Sequence, residues 1–128
     1  MENNVILEMK PTIENLSLMR LILSYFCQSK DFDISVIDKI KFIVSNVINI
    51  VSCNNIDQET VKIDISFDEI QIKTMVYAKS EKSISTNLNY KIEIKKLLDT
   101  SHGCVEFLEK PNNEYVIILN INNEKING

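Results

Sequence analysis

The hydrophobic repeat of this chain changes period near residue 60, and that change limits the folds open to it. Between Leu16 and Val51, apolar residues recur every three or four positions; from residue 60 they first recur every two. The first spacing puts side chains on one face of a helix, and strict alternation puts them on one face of a strand. In the first helical stretch Leu16, Met19, Leu23 and Phe26 form one stripe, which Leu18, Ile22 and Tyr25 widen. Thr12 or Asn15 can cap it, and Lys30-Asp31 breaks the pattern. A second helix starts between Asp33 and Ser35, with Asp33 as candidate N-cap. It carries Ile37, Ile40, Val44, Val47, Ile48 and Val51 and runs to about Ser52. Its β-branched residues lower its helix propensity, but length and period outweigh that.

The remaining segments complete the order. Asn4 to Met9 alternates loosely and reads as a strand ended by Pro11. From Thr60, Val61, Ile63, Ile65 and Phe67 alternate with Lys62, Asp64 and Ser66. Asp68-Glu69 turns the chain, and Ile70, Ile72, Thr74 and Val76 alternate again, which predicts an antiparallel hairpin. Lys79 to Asn87 is polar and irregular; Tyr90 to Thr100 carries a helical pattern through Ile94, Leu97 and Leu98. Gly103 follows, about where a helix-ending glycine sits. Val105 to Leu108 is a short strand, residues 110–113 supply turn chemistry, and Tyr115 to Ile121 is the last strand before a frayed tail. The order β-α-α-β-β-α-β-β predicts one α+β domain over residues 1–128. It is a two-layer sandwich with helices on one face of a mixed, mostly antiparallel sheet. With 128 residues and 45% hydrophobic content, one core is expected.

Composition excludes several chemistries. Only Gly103 and the last residue, Gly128, are glycines. A phosphate-cradling loop needs several residues without a Cβ, so a Walker loop or a dinucleotide fingerprint cannot be built here. The net charge of −4 offers no footprint for nucleic acid or an anionic membrane. Lys91, Lys95 and Lys96, the densest basic stretch, are interrupted by Glu93 and read as a solvated helix face. Cys27, Cys53 and Cys104 form no CxxC pair, so no zinc or thioredoxin-type site is indicated, and they read as small buried hydrophobes in a reducing compartment. No apolar run reaches membrane-spanning length and no signal segment leads the chain, so a cytoplasmic location is expected. His102, the only histidine, falls at a helix end, where it can satisfy terminal carbonyls. Ser45 and Ser52 read as helix residues, and no triad or carboxylate pair follows from the spacing. No catalytic residue, cofactor or metal is assigned.

Two helical phrases carry a resemblance. They are Asn15-Leu-Ser-Leu-Met-Arg20 and Ile37-Asp-Lys-Ile-Lys-Phe-Ile-Val-Ser-Asn46. With the element order, they resemble the anti-sigma-factor serine kinases of Gram-positive bacteria, members of the histidine-kinase-type ATPase superfamily. That family reads N-x-S-x-x-R in the first helix and I-x-x-I/L-K-x-x-V-S-E in the second. The resemblance implies the histidine-kinase-like ATPase fold across nearly the whole chain.

The family's ATP-binding motifs are lost. Its general-base glutamate corresponds to Asn46 and its magnesium-binding asparagine to Ile50. An amide cannot take a proton as a carboxylate does, and isoleucine offers a cation no oxygen. Asn49 lies about 100° away around the helix. The D-x-G-x-G motif corresponds to Val76, Ala78 and Ser80, and the G-x-G loop to Leu88 through Tyr90. The lid segment, Lys79 to Asn87, is shortened or absent. The resemblance therefore implies a binding protein that works without nucleotide, sequestering a sigma factor or an anti-sigma antagonist. Arg20, with Asn15 and Ser17, matches the family's partner-binding helix, and a homodimer is implied. An active serine kinase or ATPase with a remodelled pocket, drawing on Asp57, Glu59 or Glu81, and a structural or assembly subunit remain the alternatives.

Overall fold

The computed structural model describes residues 3–54, 60–67, 70–79, 88–99, 103–111 and 114–122. The elements follow the order expected from the sequence. They are β1 (Asn3–Met9), α1 (Ile13–Ser29), α2 (Ile34–Asn54), β2 (Val61–Phe67), β3 (Gln71–Lys79), α3 (Leu88–Asp99), β4 (Cys104–Lys110) and β5 (Glu114–Asn122). The strands form one open sheet in the order β1-β2-β3-β5-β4, and all four pairings are antiparallel. This is the expected α+β architecture, with antiparallel pairing throughout where mostly antiparallel pairing was expected.

Alternation sets the register. Val61, Ile63 and Ile65 of β2 face the same side as Ile72, Thr74, Val76 and Ala78 of β3 and Tyr115, Ile117, Leu119 and Ile121 of β5, and all are buried. A slip of one residue would turn each set outward, so the core itself fixes the pairing. Over this face α2 lies between α1 and α3 and contacts β3, while α3 contacts β4. Lying between two helices and above a sheet, α2 buries Val36, Ile37, Ile40, Ile43, Val44, Val47, Ile48 and Val51. Each such side chain contributes about 1.5–3 kcal/mol, far more than the few tenths lost to β-branched helix propensity.

The ends of α1 explain its neighbours. Thr12 is the N-cap, its hydroxyl accepting from the Asn15 N–H at 3.2 Å. At the other end, the Phe32 N–H donates to the Cys27 carbonyl at 3.1 Å and the Asp31 N–H to the Gln28 carbonyl at 3.1 Å. That double closure needs a left-handed residue, and Asp31 supplies it with φ 57°. The short connection brings α2 back antiparallel to α1, and the Asp33 carbonyl accepts the N–H of Ile37.

Gly103 has a different role from the one its position suggested. Its N–H donates to the Leu98 carbonyl at 3.3 Å, but its φ is not positive. The constraint is space: a Cβ there would lie 2.7 Å from the Asn120 carbonyl oxygen and 3.0 Å from Leu98 Cδ2. The chain keeps its interior glycine where α3, β4 and β5 close on one another.

Several boundaries and burials differ from expectation. Ile70 precedes β3 and is exposed, and β3 extends to Lys79. Cys104 is exposed on the edge strand β4, whereas Cys27 is buried as expected. The frayed tail, His102, Asp57, Glu59 and Glu81 lie outside the described residues.

Candidate functional site

α1 is apolar on two opposite sides. Leu16, Met19, Leu23 and Cys27, spaced by three and four, face the core and are buried. Leu18, Leu21 and Tyr25 follow the same spacing on the far side and are 55%, 68% and 70% exposed. The wide stripe expected to pack inward is thus two stripes, with Ile22 and Phe26 half-buried between them. Tyr25 is braced by Phe26 in an edge-to-face contact with ring centres 5.3 Å apart. The helix has only Glu14 and Arg20 as charged residues. A surface helix ordinarily turns a polar face to water; one that is apolar on both sides has a second surface to cover. On α2, Phe42 is also 60% exposed, one turn before Ser45.

The three residues matched to the family's partner-binding helix are held by local bonds. Arg20 is half-buried; its Nη1 donates to Ser45 Oγ at 3.3 Å and its Nη2 to Ser17 Oγ at 3.1 Å. The first bond gives the buried Ser45 oxygen a donor and ties α1 to α2; the second holds the guanidinium against its own helix. A guanidinium has five N–H donors, so the fork is positioned without being exhausted. The Asn15 side-chain amide donates to the Lys10 carbonyl at 2.9 Å, fixing the helix to the end of β1. Arg20 and Ser17 therefore sit together beside the exposed stripe, with Asn15 at the helix start.

The described positions matched to a nucleotide pocket lie on β3, α2 and α3. Val76 is fully buried and Ala78 nearly so, both within β3 and part of the core. Ile50 is half-buried and packs against that core. The Asn46 side-chain amide donates to its own helix, to the Phe42 carbonyl at 2.7 Å. Leu88 to Tyr90 form the first turn of α3, so helical backbone stands where a glycine loop would cradle phosphate. Ser80 and the rest of the lid segment lie outside the described residues, as do the side chains of Leu88 and Tyr90. Among the described residues no group of His, Cys, Asp or Glu could hold a metal ion.

Cys27 offers no nucleophile. Burial pushes its thiol from 9.0 up to about 12, so it stays protonated at physiological pH. Burial likewise raises the Tyr115 hydroxyl from 10.0 to about 12. No described helix is long and apolar enough to cross a membrane. The sequence matches no protein-family model and no curated protein.

Sequence reasoning named Arg20 but missed the outer stripe of α1. The signal was present in the scarcity of charge along that helix. Residues 18, 21 and 25 share one face, and nothing polar separates them.

Proposed function

We propose that the chain is a regulatory binding protein that captures a protein partner on the outer face of α1, without nucleotide. The observation that carries this reading is the exposed row of Leu18, Leu21 and Tyr25 on a helix with two charged residues. Contiguous exposed apolar side chains of this size mark interaction surfaces, and aromatic anchors supply most of the binding energy at such surfaces. Arg20, fixed by Ser17 and Ser45 beside the row, offers a planar fork for a partner's carboxylate.

The resemblance of the two helical phrases to anti-sigma-factor kinases suggests a sigma factor or an anti-sigma antagonist as partner, in the cytoplasm, with the chain acting as a homodimer. The burial of Val76 and Ala78 and the helical turn at Leu88 support a role that needs no ATP. Titration of magnesium–ATP into the purified chain, followed by calorimetry, tests this. The expected result is no saturable heat; micromolar binding would overturn the nucleotide-independent reading.

A further inference from the structure

β1 and β4 are the two edges of the sheet, and they are built differently. An edge strand presents a row of unpaired N–H and C=O groups, and folded chains blunt such rows with charge, proline or a bulge. β4 follows that rule: Glu106, Glu109 and Lys110 are three of its seven residues. β1 does not. It has one charged residue, Glu8, no proline, and an unbroken register with β2 from Asn3 to Met9. Lysine and proline come only beyond it, at Lys10 and Pro11.

The side chains of β1 are incompletely covered on both faces. Val5, Leu7 and Met9 pack against the core yet stay half-buried, and Ile6 on the opposite face is 54% exposed. Asn15 ties α1 to the Lys10 carbonyl at the end of β1, and the half-buried Ile22 and Phe26 share that flank of the helix. Among the described residues, no strand lies beyond β1 in the sheet.

The sequence of β1 complements itself. An antiparallel copy centred on Ile6 sets Ile6 against Ile6, Val5 against Leu7 and Leu7 against Val5. Asn4 then meets Glu8, so no like charges are opposed. The two Glu8 residues fall four positions apart, roughly 14 Å at about 3.4 Å per residue. That exceeds the screening length of about 8 Å at physiological salt. The two-fold axis through such a pair is perpendicular to the sheet, so the helices of both copies stay on one side and the buried faces remain aligned.

We infer that β1 is where a second copy of this chain adds, strand against strand, to make one continuous antiparallel sheet across the two chains. The added strand covers Val5 and Leu7 from the side and brings the two Ile6 side chains together. The inference shares only the homodimer with the proposed function; it is argued from β1 alone, and partner capture on α1 does not depend on it. One strand pair is a small interface, so the dimer is weak, with a dissociation constant of about 10 μM.

Sedimentation equilibrium of the full chain over a concentration series tests the site. The expected result is a monomer–dimer equilibrium that Ile6→Lys weakens roughly tenfold or more, because two ammoniums would then oppose each other at the centre of the pairing. Leu108→Lys on β4 and Leu21→Glu on α1 should leave it unchanged. Oxidative cross-linking in a Cys53→Ser, Cys104→Ser background reads the register separately. Ile6→Cys should link two chains, because directly opposed residues have Cα atoms about 4.5–5.5 Å apart, within disulfide reach. Asn4→Cys should not, because its counterpart is four positions away. The cross-link introduces no charge, so it decides the matter where Ile6→Lys disturbs the fold. A chain that stays monomeric to about 1 mM, a dimer that a folded Ile6→Lys chain retains, or equal cross-linking of the two cysteine variants would overturn the inference. So would a dimer lost with Leu21→Glu, which would place the second copy on α1.

Discussion

α1 and α2 are built from similar residues and end up in opposite circumstances. Both are rich in isoleucine, leucine or valine, and they lie antiparallel, joined by Arg20 and Ser45. α2 is flanked by α1, α3 and the sheet, and eight of its apolar residues are buried on one broad face, with Ile34 and Phe42 left exposed. α1 is at the side of the layer, and its second apolar stripe meets solvent. Burial accounts for every large side chain on the inner face of α1 and for none on the outer. The stability of the monomer explains the eight buried side chains of α2; it does not explain Leu18, Leu21 and Tyr25 on α1.

The comparison can be broken by substitution. Ile48→Ala removes a fully buried side chain from α2 and should cost about 2–5 kcal/mol, read as a lower denaturation midpoint. Gly103→Ala probes the closed side at α3, β4 and β5, where the new methyl would meet a backbone carbonyl that cannot rotate away. It should destabilise by about 1–3 kcal/mol in thermal melts. Leu21→Ala on the open side should change stability by less than about 0.5 kcal/mol, since Leu21 is 68% exposed. A large loss at Leu21 would mean that the stripe has an intramolecular role, and the contrast between the helices would fail.

Element order was legible in the sequence because the two periods differ so clearly on either side of residue 60. The inner face of α1 was legible too, through Leu16, Met19 and Leu23. Its outer face was not, because apolar residues occupy most positions of that helix and periodicity cannot say which side is covered. Helix neighbours decide that, and they are a tertiary property. Phe26 was expected in the core, yet Cys27, one position on, is fully buried while Phe26 flanks it.

The glycine deficit was read from composition as a loss of phosphate loops, and the structure adds a reason for the glycine that stayed. Gly103 answers a steric demand rather than a dihedral one, which no sequence pattern announces. The residues first matched to partner binding, Arg20, Ser17 and Asn15, turn out to be locally bonded; the larger exposed side chains beside them were the stronger signal.

The central claim is that the outer stripe of α1 serves a partner and leaves folding untouched. Its most direct test is co-purification from the native cell with the unaltered chain and with Leu21→Glu, alongside thermal melts of both. The account predicts a specific protein retained by the unaltered chain and lost with Leu21→Glu, at an unchanged melting temperature. Equal retention by the two chains, or loss only through unfolding of the variant, would contradict it.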